Sequence, residues 1–233
     1  LTDDKKSTRS RMSIKNIHQP YFLQQVEVDS SYANFSRMEI IPSACASKRV
    51  LHIGCVDYPI TNVAQNLHLA VDKVAKHLVG IDTATESFDE LRPHLKNKEL
   101  YASLKDVPKQ KFDLVLVLEV LEHVTNMASF LEEIDEFDFS TLVISVPDAF
   151  SCARRHFELD ADAGSFYEAV HPDHNVWFSP YTLQNIIQKY TQWEIHTMMF
   201  VGQMSIMAIC SKRPVDNFTN QQKSPDLGLN TLD

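Results

Sequence analysis

Arg49-Val-Leu-His-Ile53 and His77-Leu-Val-Gly-Ile81 are two short aliphatic runs with a segment of helical period between them. In that segment Val63, Leu67, Ala70, Val71, Val74 and Leu78 follow helical spacing, while Gln65, Asn66, Asp72, Lys73 and Lys76 fall on the opposite, solvated face. Thr61 or Asn62 can cap its start, and Lys76 with His77 suits the negative end of its dipole. A continuous apolar run bounded by turns fits a strand buried on both faces, and strand–helix–strand at this length is a βαβ unit.

The unit repeats outward. Glu99-Leu-Tyr-Ala102, Phe112-Asp-Leu-Val-Leu-Val-Leu118 and Thr141-Leu-Val-Ile-Ser-Val146 are further strand candidates. A helix after Asn126 turns Phe130, Leu131, Ile134 and Phe137 inward; another opens with Ser179 as cap and Pro180 at its first position and buries Leu183, Ile186, Ile187 and Tyr190. Trp193 to Phe200 and Gln203 to Cys210, joined at Val201-Gly202, predict an antiparallel hairpin closing an otherwise parallel sheet. The expected organisation is an arm over 1–38, its start disordered and residues 21–38 a helical cover, an α/β domain over 39–213, and a disordered polar tail over 214–233.

The 233 residues suffice for one well-filled domain. A net charge of −9 weighs against nucleic acid, because phosphate contacts need a basic surface, and favours a small-molecule partner. Cys45, Cys55, Cys152 and Cys210 form no CxxC pair, and no apolar run reaches membrane-spanning length, so the expectation is a cytoplasmic protein with reduced thiols and no membrane partner. Oligomeric state leaves no mark on the sequence.

Open parallel sheets bind ligands at the carboxyl ends of their strands, where strand order reverses. After the first strand, His52-Ile-Gly54-Cys55-Val56-Asp57 carries one glycine, where a dinucleotide pyrophosphate would want GxGxxG. A ligand without phosphate needs only one close backbone approach. After the second strand, Asp82, with Thr83 beside it, can accept both hydroxyls of a ribose. Ser103 and Leu104 follow the third strand, suited to an adenine face, and Leu118 and Glu119 end the fourth.

Taken in order, Val50-Leu-His-Ile-Gly-Cys55, Val79-Gly-Ile-Asp82, Phe112-Asp-Leu-Val-Leu-Val-Leu-Glu-Val-Leu-Glu-His-Val124 and Leu142-Val-Ile-Ser-Val-Pro147 resemble the class I S-adenosylmethionine (SAM)-dependent methyltransferases. The resemblance is to the branch that includes ubiquinone-biosynthesis O-methyltransferases and methyltransferase-domain-23-like proteins, and it covers roughly residues 48 to 210. It implies a Rossmann-like seven-stranded sheet of order 3-2-1-4-5-7-6, strand 7 antiparallel, helices on both faces, SAM as cofactor and S-adenosylhomocysteine as product. The family usually carries an acidic residue at His52 and a second glycine at Val56; Asp57 is a substitute carboxylate and Arg37 a partner for the carboxylate of SAM.

For the chemistry, His123, His171 and His174 are candidate bases. The long segment Ala149 to Phe178 is read as a lid over the acceptor, with Arg154, Arg155, Tyr167 and Trp177 contacting it. The leading function is methyl transfer to oxygen or nitrogen of a small acceptor: a sugar, lipid precursor or secondary metabolite. One alternative is a non-catalytic SAM-fold binding protein, motivated by His52 and Val56. The other is a metal-assisted O-methyltransferase of the catechol or RNA 2′-hydroxyl type, in which Glu119, Glu122 and His123 converge from a helical stretch with His174; the metal-free reading is preferred.

Overall fold

The computed structural model describes residues 24–57, 62–150 and 156–212. Its parallel strands are β1 (Arg49–Ile53), β2 (His77–Ile81), β3 (Glu99–Tyr101), β4 (Lys111–Leu118) and β5 (Asp138–Pro147). A small separate hairpin, β6 (Phe157–Asp160) and β7 (Ser165–Glu168), precedes β8 (Trp193–Val201) and β9 (Ser205–Lys212). The main sheet runs β3-β2-β1-β4-β5-β9-β8, with β9 antiparallel to both neighbours. With the hairpin set aside, this is the expected 3-2-1-4-5-7-6 order. The order reverses between β1 and β4, which places the switch point at the ends of those strands.

Both faces of the sheet are covered. Val115, Val117, Ile144 and Val146 pack under α4 (Met127–Asp135) and α5 (Pro180–Tyr190) through Leu131, Ile134, Leu183 and Ile187. Leu114, Leu116 and Leu118 face the other way, onto α1 (Arg37–Cys45) and α2 (Leu67–Val74) through Ile40, Ile41, Leu67 and Val71. The strict alternation along β4 explains why its sequence is an unbroken apolar run. A short α3 (Phe88–Leu91) buries Phe88 and Leu91 beside β3.

The Ser179 cap was legible, its Oγ accepting from the Thr182 amide at 3.2 Å; Asn126 caps α4 in the same way, its Oδ1 accepting from the Ser129 amide at 3.2 Å. Several details differ from expectation. The first amphipathic segment breaks at Asn66, which caps α2 by accepting from the Leu69 amide at 3.1 Å; Asn62 caps a preceding single turn, Val63–Gln65, and Leu78 lies on β2. Asp72, assigned to the solvated face, is buried, because its carboxylate accepts from the amides of Lys96 (2.6 Å) and Asn97 (3.1 Å) and from Asn97 Nδ2 (2.8 Å). Tyr190 ends α5 and stays exposed.

The arm also differs. Residues 24–36 are not helical; Asp29 bridges to β8, donating its amide to Met198 O and accepting from the Phe200 amide, so β8 offers backbone partners that a helix could not use. The helix starts at Arg37, where the Glu39 carboxylate accepts from the Ser36 amide at 2.7 Å. The expectations for residues 1–20 and for the tail over 214–233 lie outside the described residues. Among the described residues, no helix is long and apolar enough to cross a membrane.

Candidate functional site

The loop after β1 turns at Gly54, whose φ is +77° and whose missing Cβ would sit 2.4 Å from Val120 Cγ2. Only glycine meets both demands without strain. The Gly54 and Cys55 amides both donate to Ile81 O, at 2.8 and 3.1 Å, fixing this loop to the end of β2. Asp82 completes the tie: Oδ2 accepts from the Val56 amide at 2.8 Å and Oδ1 from the Ala84 amide at 2.9 Å. Each oxygen keeps a free lone pair for a further donor. Asn66 Nδ2 donates to Val56 O at 2.8 Å, so the α2 cap also holds this loop.

A cleft opens here, lined by Arg37, His52, Gly54, Cys55, Asp57 and Leu118 from the expected set, and by Met38, Gln65 and Leu67, which the sequence reading missed. His52 and Cys55 are buried, so they offer little beyond backbone and edge. The His52 ring sits with its Nδ1 3.1 Å from His68 Nδ1. Burial holds His52 well below the usual histidine range, with the His68 and Arg37 charges adding, and burial lowers His68 to about 3. Both imidazoles are neutral and pair with each other; that is how the fold accommodates histidine in a position usually acidic. The cleft lining does not include Asp82, which is tied to the Cys55–Asp57 rim through the Val56 amide, nor Glu119, nor Ser103, whose hydroxyl donates to Asp106 at 2.9 Å, nor the exposed Thr83, nor the buried Leu104. A larger cavity, about 470 Å³, lies at the opposite end of the sheet where β4 and β5 begin, lined by Leu104, Phe137 and surface lysines and carboxylates. Its position argues against a role at the switch point.

The end of β4 forms the second wall. Glu119 is left-handed (φ +53°), its amide donating to Ser145 O at 2.9 Å while its Oε1 accepts from Ser145 Oγ at 2.7 Å. Only Leu121–His123 then makes a single turn, so the stretch is not the helix from which Glu119, Glu122 and His123 were expected to converge. Glu122 is fully buried, neither carboxylate oxygen has a hydrogen-bond partner, and burial with the Glu119 charge beside it pushes its pKa up to about 8.

His171 and His174 come to this wall from the segment before α5. The Asn175 amide donates to Glu122 O at 2.8 Å and Asn175 Nδ2 to His123 O at 2.9 Å, clipping that segment to the turn. The rings of His123, His171 and His174 stand 4.6 to 5.6 Å apart by centroid. Burial and neighbouring imidazoles lower the pKa of His123 and His174. His174 Nε2 lies 3.9 Å from Glu122 Oε1, beyond hydrogen-bond range, and its buried Nδ1 has no partner. Trp177 stacks edge-on against His174 and Phe157 and donates its indole N–H to Glu168. Tyr167, on the hairpin, is 56% exposed and faces solvent. Arg154 and Arg155 lie outside the described residues. Asn175 was invisible to sequence reading because its value lies in backbone contacts 52 residues away.

Residues 51–137 match a family described as a methyltransferase domain. Among curated proteins, a ubiquinone biosynthesis O-methyltransferase of Rhodopseudomonas palustris (strain BisA53) is 25% identical over 122 residues, covering 50% of this chain and 44% of that protein. The chain thus spans less than half the length of that relative. A putative type 11 methyltransferase from Sulfolobus solfataricus superposes with a TM-score of 0.54 at 8% identity, over 79% of this chain and 96% of its own. A magnesium protoporphyrin IX methyltransferase from Synechocystis PCC 6803, solved with bound S-adenosylhomocysteine, does so with a TM-score of 0.52 at 13% identity, over 76% and 82%. Sheet order and structural likeness give the chain the fold of these methyltransferase structures, a Rossmann-like seven-stranded sheet, and residues 51–137 carry the match to the methyltransferase-domain family.

Proposed function

We propose that the protein binds SAM in the switch-point cleft and transfers its methyl group to oxygen or nitrogen of a small-molecule acceptor held against the His123–His171–His174 wall. The observation carrying this reading is the Gly54–Asp82 junction, where two strand-end loops are locked by hydrogen bonds around a left-handed turn that only glycine adopts without strain. The donor set fits SAM: the Asp82 carboxylate, tied to the rim of the cleft through the Val56 amide, for ribose hydroxyls, and from the lining the half-buried Arg37 for the amino-acid carboxylate and Leu118 for an apolar edge. SAM supplies an electrophilic methyl on a sulfonium, so the chain's own task is alignment and proton removal.

Neutral imidazole does the second. His123 and His174, held below the usual histidine range, are unprotonated at pH 7 and offer a ring nitrogen to the acceptor's proton. Trp177 and the hairpin beside it form an aromatic flank to the same wall. A cytoplasmic setting agrees with the buried free thiols of Cys45, Cys55 and Cys210. The test is formation of S-adenosylhomocysteine from SAM across a panel of phenols, sugars and amines. His123→Ala is expected to lower kcat at least about 100-fold with SAM affinity unchanged. Equal turnover in the folded variant would remove His123 from the chemistry.

A further inference from the structure

We propose that His123, His171 and His174, with the Glu122 carboxylate behind them, form a binding site for one divalent transition-metal ion. One ligand atom from each imidazole lies within 4.8 Å of the other two. Around an ion at about 2.1 Å in tetrahedral geometry, nitrogens stand about 3.4 Å apart, so closure asks for little more than an ångström of ring movement. His171, with its side chain 37% accessible, has room for that rotation.

A second observation points to a ligand. Both Glu122 oxygens and His174 Nδ1 are buried and unpartnered, with Glu122 Oε1 3.9 Å from His174 Nε2. A buried carboxylate without hydrogen bonds is costly, and a cation between it and the imidazoles removes that cost. The chain also holds the ligands in place before any ion arrives: Asn175 clips the His171–His174 segment to the Glu122–His123 turn.

The donor set chooses the ion. Three imidazoles and one carboxylate suit zinc, cobalt, nickel, manganese or ferrous iron, whereas magnesium and calcium want mostly oxygen. This differs from the set expected from spacing, in which Glu119 was a ligand: Glu119 Oε1 is taken by Ser145, and His171 stands in the cluster. His123 stands half-buried against the two other imidazoles. The ligand set is independent of methyl transfer. Its consequence rests on the proposed function: with the three imidazoles and Glu122 engaged, a hydroxyl acceptor would join as a fifth ligand and the ion, in place of a free imidazole, would lower its pKa, which selects a hydroxyl over an amine that is protonated at pH 7.

The experiment is cobalt titration of chelator-treated, dialysed protein, read by visible d–d absorption, with SAM calorimetry in parallel. One equivalent is expected to bind with a micromolar or tighter Kd, unaffected by excess magnesium. His171→Ala and His174→Ala should each weaken binding at least about 10-fold, and Glu122→Gln by a similar factor. SAM affinity should be unchanged in all three, so failure of the metal site and failure of the cofactor site read out separately. No stoichiometric binding, displacement by magnesium, or binding that survives both histidine replacements in folded protein would overturn the proposal.

Discussion

Replacing Gly54 by alanine tests the junction on which the cofactor cleft depends. The new Cβ would meet Val120 Cγ2 at 2.4 Å, but Val120 Cβ is 3.8 Å away, so the clash is with one methyl tip. Holding alanine at a φ of +77° adds backbone strain that no neighbour can relieve. The strain is worth about 1–2 kcal/mol and the crowding about 1 kcal/mol, the low end for overpacking because Val120 is only partly buried. For a chain of this size, each kcal/mol lowers Tm by about 2–4 °C, so Gly54→Ala should lose roughly 4–12 °C. Urea denaturation of Gly54→Ala, Val120→Ala and the double variant separates the two causes. The double variant should recover about 1 kcal/mol of coupling, leaving the φ strain in place. Stability unchanged in Gly54→Ala, or strict additivity to within about 0.5 kcal/mol, would refute the reasoning.

Two further outcomes concern stability. His52 and His68 have folded pKa values below the unfolded value, so the folded state binds fewer protons; their contribution is complete above about pH 6.5 and is lost as pH falls toward the folded value of about 3 for His68. At pH 5 the loss from His68 is on the order of 2 kcal/mol. Glu122 acts oppositely, its raised pKa adding stability as pH falls from about 8, so the comparison of wild type with His68→Gln between pH 7 and 5 is the measurement; parallel curves would contradict it. Asp72→Ala leaves three donors from Lys96 and Asn97 without their carboxylate, and should cost roughly 3 kcal/mol in urea unfolding, whereas a solvated aspartate would cost almost nothing.

The sheet was legible because burial on both faces writes a local signal. Val115 and Leu116 point to opposite cores, yet both must be apolar, and the run shows it. Asp82 was legible as a strand-end residue because topology alone puts it after β2, where its carboxylate ties the loops that follow β1 and β2. Asp72 was not: helical spacing places it opposite Val71, and nothing local reveals that the Lys96 and Asn97 amides arrive to cover it. The turn at Glu119 was misread for a related reason. Glu119, Glu122 and His123 have helical spacing, but a left-handed Glu119 bonded to Ser145 on the adjacent strand ends that register. His171 joins His123 and His174 through a clip made by Asn175, a contact between distant segments that carries no periodicity at all.

The most direct measurement is calorimetric titration of the purified protein with SAM and with S-adenosylhomocysteine. Binding of one equivalent at micromolar or tighter Kd is expected, weakened about 10- to 150-fold in Asp82→Ala, the equivalent of roughly 1.5–3 kcal/mol for a charged hydrogen-bond partner. Absence of binding to folded wild-type protein, or an Asp82→Ala variant that binds as tightly, would contradict the assignment of this cleft to the cofactor.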